Sequence, residues 1–169
     1  MPPPPELWGW SPIEMAADLR WLRIKDEPCP FIQYTCSATA VDVDELVNDQ
    51  IEYRPDVIDI WNDPTTTWLD AAGDCEDMAI LKRAILLANG FSEDRIFFLV
   101  VLDVLARCDH AVLLVEDDGW RILDCRTGLA GDALRIEQVA DYTPRVAMQG
   151  ERQWTFGRRH RRGATHRDA

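Results

Sequence analysis

A chain of 169 residues suits one domain burying roughly 70% of its unfolded surface, and an apolar fraction of 47% argues against a disordered body. The net charge of −12 divides into +4 on residues 157–169 and −16 on residues 1–156, so an acidic body argues against nucleic acid as the main partner. No stretch approaches the ~20 apolar residues of a membrane span. Cysteines 29, 36, 75, 108 and 125 form no C-x-x-C pair and leave one over, so no disulfide framework is required. Met1-Pro-Pro-Pro-Pro5 lacks the basic and apolar regions of an export signal. A cytoplasmic location is expected if residue 1 is the natural start, and a periplasmic or exported one if a signal was removed.

Residues 1–10 read as a Pro-rich arm on which Trp8 and Trp10 can dock against the body. Ser11-Pro12-Ile13-Glu14 carries the cap, first-turn proline and third-position carboxylate of a helix start, predicting a helix to about Lys25. A second helix is expected from Asp42 to about Tyr53, with Val43, Leu46, Val47 and Ile51 on one face. Residues 55–73 read as a connector, and residues 75–89 as a broadly apolar central helix stopped at Gly90. The period then changes. Arg95–Val104 is a buried strand, Ala111–Val115 a second, Asp117-Asp118-Gly119 a hairpin turn and Trp120–Cys125 a third. Arg126–Tyr142 reads as loop with a short helix. Pro144–Met148 and Arg152–Phe156 form a last hairpin around Gln149-Gly150. Helices followed by a meandering antiparallel sheet make an α+β domain over residues 11–156, and residues 157–169 read as a basic, disordered tail.

The chemistry gathers around Gly73-Asp74-Cys75-Glu76-Asp77. A thiolate at the first turn of a helix is favoured by the unpaired N–H groups and dipole there. His110 is the only histidine outside the basic tail, so any catalytic imidazole in the body must be this one. Asp124, at the end of the next strand, can reach the distal ring nitrogen of His110 and hold its tautomer. Cys75, His110 and Asp124 in this order suit a nucleophile, its base and its orienter. Carboxylates at Asp74, Glu76 and Asp77 stabilise any helix start, yet they oppose a neighbouring thiolate. A bound Ca²⁺ would remove that conflict, with backbone carbonyls and water completing its shell. A rival constellation, zinc on Cys75, Cys108, His110 and Cys125, fits no common zinc spacing, and strand alternation turns Cys125 away from Asp124.

Together these residues resemble the bacterial transglutaminase-like cysteine peptidases, which include LapG-type proteases that release biofilm adhesins. The likeness runs through Val47-Asn48, Tyr53, Asp59, Trp61, Gly73–Asp77 with Ala79, Ile80 and Lys82, His110-Ala-Val-Leu, Ile122-Leu-Asp124, Tyr142-x-Pro144 and Trp154. It departs at Met78, Asp109 and Cys125, where the family more often has an aromatic, Gly and Asn. The resemblance implies a papain-like α+β fold, Cys75 as nucleophile, His110 as general base and acid, and Asp124 as orienter. It implies calcium on Asp74 and Glu76, with Asp77 as a further ligand, and no organic cofactor. The oxyanion would meet the Cys75 N–H and, as second donor, Trp68. A protein or peptide is the expected substrate. Hydrolysis of a peptide or isopeptide bond, transfer of the acyl group to an amine as in a transglutaminase, and an inert transglutaminase-like binding module are the three functions this pattern admits.

Overall fold

A computed structural model describes residues 2–16, 38–58, 60–126, 133–139 and 141–158. Among them, seven strands form one antiparallel sheet in the order β1 (Trp10–Glu14), β9 (Arg152–Arg158), β8 (Tyr142–Gln149), β4 (Ile96–Asp103), β5 (Cys108–Glu116), β6 (Trp120–Leu123) and β7 (Leu134–Arg135). Helices α1 (Ala40–Gln50) and α3 (Cys75–Ala88) pack on one face, and α2 (Pro64–Asp70) packs on α3. Two short strands, β2 (Glu52–Tyr53) and β3 (Ala72–Gly73), pair in parallel just before α3. The α+β class expected from the order of elements is the class observed.

β4 explains why its sequence reads as one unbroken apolar run. Ile96 and Phe98 join the core beneath the helices, while Phe97, Leu99 and Val101 join a second core on the opposite face. That second face is covered by Leu7, Trp154 and Phe156, with Trp8, Trp10 and Trp120 packed against it. A strand buried on both sides has no polar positions to alternate with. Trp8 also donates its indole N–H to the Ile136 carbonyl at 3.0 Å and meets Tyr142 edge-on. The docking expected of Trp8 and Trp10 is therefore present, and Leu7 beside them is fully buried.

Four expectations need correction. Ser11–Glu14 is not a helix start but part of β1, paired with β9 from Trp10 opposite Arg158 to Glu14 opposite Trp154. Pro12 lacks an N–H and sits in an edge strand, where that loss is tolerated; the available ladder on β9 outweighs a local capping pattern. Residues 17–25 of that expected helix, Cys29, Cys36, Asp59 and residues 159–169 lie outside the described residues. The second helix begins earlier than Asp42, because Thr39 and Asp42 form a capping box: the Asp42 N–H donates to Thr39 Oγ1 at 3.2 Å and the Thr39 N–H to Asp42 Oδ2 at 2.7 Å. It also ends at Gln50, since Glu52–Tyr53 is taken by β2. The connector contains α2, started by Asp63, which accepts from the Thr66 N–H at 2.9 Å, and by Pro64 in the first turn. The strand expected at Ala111–Val115 extends back to Cys108, so His110 belongs to the ladder itself, opposite Val101.

Candidate active site

Three elements converge on Cys75. β2 pairs Tyr53 with Gly73, and the chain then turns at Asp74 into α3 with Cys75 as its first residue. Gly73 is required by contact rather than by backbone angle. A Cβ there would lie 2.7 Å from Cβ of Asp77 and 3.1 Å from Cγ2 of Thr67. Asp77 is fully buried and takes the Asn62 N–H at 2.8 Å on Oδ1 and the Asn62 amide at 2.9 Å on Oδ2. Both its oxygens thus fasten the connector to α3, which accounts for this carboxylate without a cation. Trp68, on α2, packs its half-buried ring against the core that also carries Cys75.

Around the thiol the electrostatics are unfavourable to ionisation. Burial pushes the Cys75 thiol well above its ordinary range; the Ala111 N–H, which faces the sulfur, acts the other way. The thiol donates to Glu76 Oε2 at 3.1 Å, which holds the proton on sulfur. Glu76 is itself pushed up to about 8 by burial, with Asp74 beside it adding to the rise. Oδ1 of Asp74 is buried with no hydrogen-bond partner among the described residues. A desolvated carboxylate pair with an orphaned oxygen is the environment that an oxygen-seeking cation relieves. Asp74 and Glu76 fit such a cation; Asp77 has other work.

His110 and Asp124 meet as expected. Nε2 of His110 lies 2.8 Å from Asp124 Oδ1, and both side chains are largely buried. That contact leaves Nδ1 as the ring nitrogen available for proton exchange. Since the Ala111 N–H faces the Cys75 sulfur, the start of α3 lies against β5 at the residue that follows His110. Burial raises the Asp124 carboxyl, but hydrogen bonds from His110, Tyr142 and the Arg126 N–H outweigh it, and the group stays below the usual carboxylate range.

The sequence reading missed what holds Asp124. Tyr142 donates a short hydrogen bond to Asp124 Oδ2, and its ring lies 5.8 Å from that of His110. Arg126 stacks over Tyr142 at 5.4 Å and pairs with the buried Asp103. From the helical side, the Asn48 amide at 2.8 Å and Lys82 Nζ at 3.0 Å both donate to the Asp124 carbonyl. Lys82 is 1% exposed, bonds Asn48 Oδ1 at 2.8 Å and pairs with Asp44 at 2.6 Å. A lysine inside a helix that is otherwise apolar on that side was the available signal.

Cys125 also departs from expectation. β6 ends at Leu123, so strand alternation does not govern the next two residues. The Cys125 thiol turns in beside the pair: ligand atoms of His110, Asp124 and Cys125 all lie within 4.8 Å of one another. Cys108 is exposed, and neither it nor Cys75 belongs to that group, so the four-residue zinc arrangement is not formed.

The family described as bacterial transglutaminase-like cysteine proteinase matches residues 25–155. Among solved structures, LapG of Legionella pneumophila is 27% identical with a TM-score of 0.61, covering 69% of this chain and 66% of its own. Its calcium-bound form gives the same values, and its EGTA-treated form differs only in the 64% of its own chain covered. The chain therefore spans just under two thirds of the length of these structures. No curated protein matches the sequence.

Proposed function

This chain belongs to the bacterial transglutaminase-like cysteine proteinases, and from that premise we propose that it is a cysteine peptidase acting through Cys75, His110 and Asp124. The observation that carries the reading is the 2.8 Å contact between His110 Nε2 and Asp124 Oδ1, with Cys75 opening α3 against the neighbouring Ala111. In this reading the Cys75 sulfur attacks the carbonyl of a peptide bond as His110 Nδ1 takes the thiol proton. The resulting imidazolium is stabilised by Asp124 and gives its proton to the leaving amine. Water, deprotonated by the same nitrogen, then releases the acyl group and restores the thiol. The first N–H groups of a helix lack intrahelical partners, so the Cys75 N–H is suited to the oxyanion. Trp68, two residues before the end of α2, is the second donor in this proposal.

Alkylation tests the triad without a known substrate. With Ca²⁺ present, iodoacetamide should label Cys75 at neutral pH much faster than the exposed Cys108, and His110→Ala should cut the Cys75 rate by about 10²-fold or more. Equal rates for the two thiols, or no effect of His110→Ala, would sink the activated nucleophile.

Asp74 and Glu76 are the residues proposed to hold Ca²⁺, supported by the buried, unpartnered Asp74 oxygen and by the calcium-bound and EGTA-treated forms of the Legionella protein. Bound there, the cation would offset the two carboxylates that oppose ionisation of Cys75. Adding Ca²⁺ to EGTA-treated protein should raise its melting temperature, since a ligand of the native state stabilises by mass action. Asp74→Ala should abolish the rise; an unchanged melt in the parent protein would remove calcium from the mechanism.

A further inference from the structure

We propose that His110, Asp124 and Cys125 form a binding site for a thiophilic divalent cation, zinc foremost, whose occupation switches the active site off. The donor set is one imidazole nitrogen, one carboxylate oxygen and one thiol sulfur, all within 4.8 Å of one another. Bonds of about 2.0–2.3 Å around a tetrahedral Zn²⁺ set ligand atoms roughly 3.3–3.8 Å apart. Shifts of about an ångström therefore close the site around the ion. Mixed sulfur, nitrogen and oxygen donors favour zinc over calcium or magnesium, which take oxygen throughout. The all-oxygen pair Asp74 and Glu76 has the opposite preference, so the two sites would not compete for one ion.

The surroundings suit a ligated ion. His110 and Cys125 are 7% and 6% exposed. The Asp124 backbone is fixed by Asn48 and Lys82, and Tyr142 bonds Oδ2, leaving Oδ1 facing the imidazole. Hydrogen bonds of this kind behind a ligand orient it and sharpen affinity. Cys125 lies beyond the last residue of β6, so it can make a small adjustment toward the fixed Asp124 without breaking a ladder bond. Three protein ligands leave the fourth position to water.

Binding is a ligand exchange with a defined proton count. The Cys125 thiol releases its proton to solvent as the S–Zn bond forms. Nε2 of His110 exchanges its contact with Asp124 for the metal, and the neutral ring then carries its proton on Nδ1. An imidazole protonated at Nδ1 cannot accept the Cys75 proton. This loss of function rests on the peptidase reading; the binding itself does not.

The two are separated by using Co²⁺ as a spectroscopic probe for zinc. Cobalt titrated into reduced, full-length Cys75→Ala should give a thiolate-to-cobalt charge-transfer band that saturates at one equivalent and is displaced by zinc. The band should vanish when Cys125→Ser or His110→Ala is added. Should Cys125→Ser fail to fold, Cys125→Ala is read in the same way. Absence of the band, or its survival without Cys125, overturns the site. In the parent protein, one equivalent of zinc should slow alkylation of Cys75 at least tenfold, and Cys125→Ser should raise the zinc required by about tenfold or more. Undiminished alkylation in zinc-saturated protein overturns the switch. If His110→Ala leaves metal-free alkylation unchanged, the triad fails, while the cobalt band still decides the metal site.

Discussion

Lys82 shows how a single residue can be costly and still necessary. Its ammonium is fully enclosed and compensated by Asp44, and its remaining hydrogens go to Asn48 and the Asp124 carbonyl. Burial still leaves the Asp44 carboxyl raised, with Lys82 pulling it down, so the pair is desolvated at real expense. Lys82→Met should destabilise the protein by about 3–5 kcal/mol in urea unfolding, because Asp44 is left buried and unpaired. Adding Asp44→Leu should recover most of that stability. Alkylation of Cys75 should stay slow in the double variant, since the Asp124 carbonyl has lost a donor; recovery of both together would make Lys82 purely structural. The His110–Asp124 contact and the place of Cys75 at the start of α3 were legible in the sequence because few candidates existed: a cysteine at a helix start, one histidine in the body, one aspartate closing the next strand. Tyr142, Asn48 and Lys82 were present in the family pattern without a role. Their task depends on three distant elements meeting at one backbone carbonyl, and no local spacing encodes that.

At the level of elements, the long α3 and β4, the short β6 and the last hairpin of β8 and β9 were read correctly, while β1 and α2 were not. α3 and β4 are identified by runs of apolar residues that only burial explains. Ser11-Pro12-Ile13-Glu14 carries a sound capping pattern and is nevertheless a strand, because a free edge on β9 offers every residue a partner. α2 escaped notice because seven residues are too few for periodicity, although Asp63-Pro64 marks its start. The Asp63 side chain supplies the cap, and hydrogen bonds from the Thr66 backbone and hydroxyl hold its carboxyl below the usual range. Asp63→Ala should cost about 1 kcal/mol at neutral pH. A depressed folded pKa gives stability that is present above the unfolded value and lost as pH falls through the folded one. The difference between parent and variant should therefore shrink as pH drops below 3.8, the ordinary aspartate value. A constant difference across an acid series of urea unfolding curves would mean that the side-chain cap is not its source.

For the whole molecule, the decisive feature is how the sheet is finished. β1 covers the outer edge of β9, and Leu7 with the neighbouring tryptophans closes the face away from the helices. Trp154 is buried in that face and Trp8, Trp10 and Trp120 pack against it; among the described residues no helix is long and apolar enough to cross a membrane. Deleting residues 2–14 would bare the β9 ladder and uncover Phe156 and Trp154. An unprotected apolar edge pairs with other chains, so the truncated protein should elute from size-exclusion columns as concentration-dependent oligomers. A sharp monomer peak at every concentration would show that β1 is dispensable. The same pairing sets a timetable for biosynthesis. Chains emerge from the ribosome N-terminal end first, so Trp10–Glu14 is made well before its partner, Arg152–Arg158. The nascent protein must keep this strand unmated until β9 has been made, so the edge of the sheet is closed only after every strand between them exists.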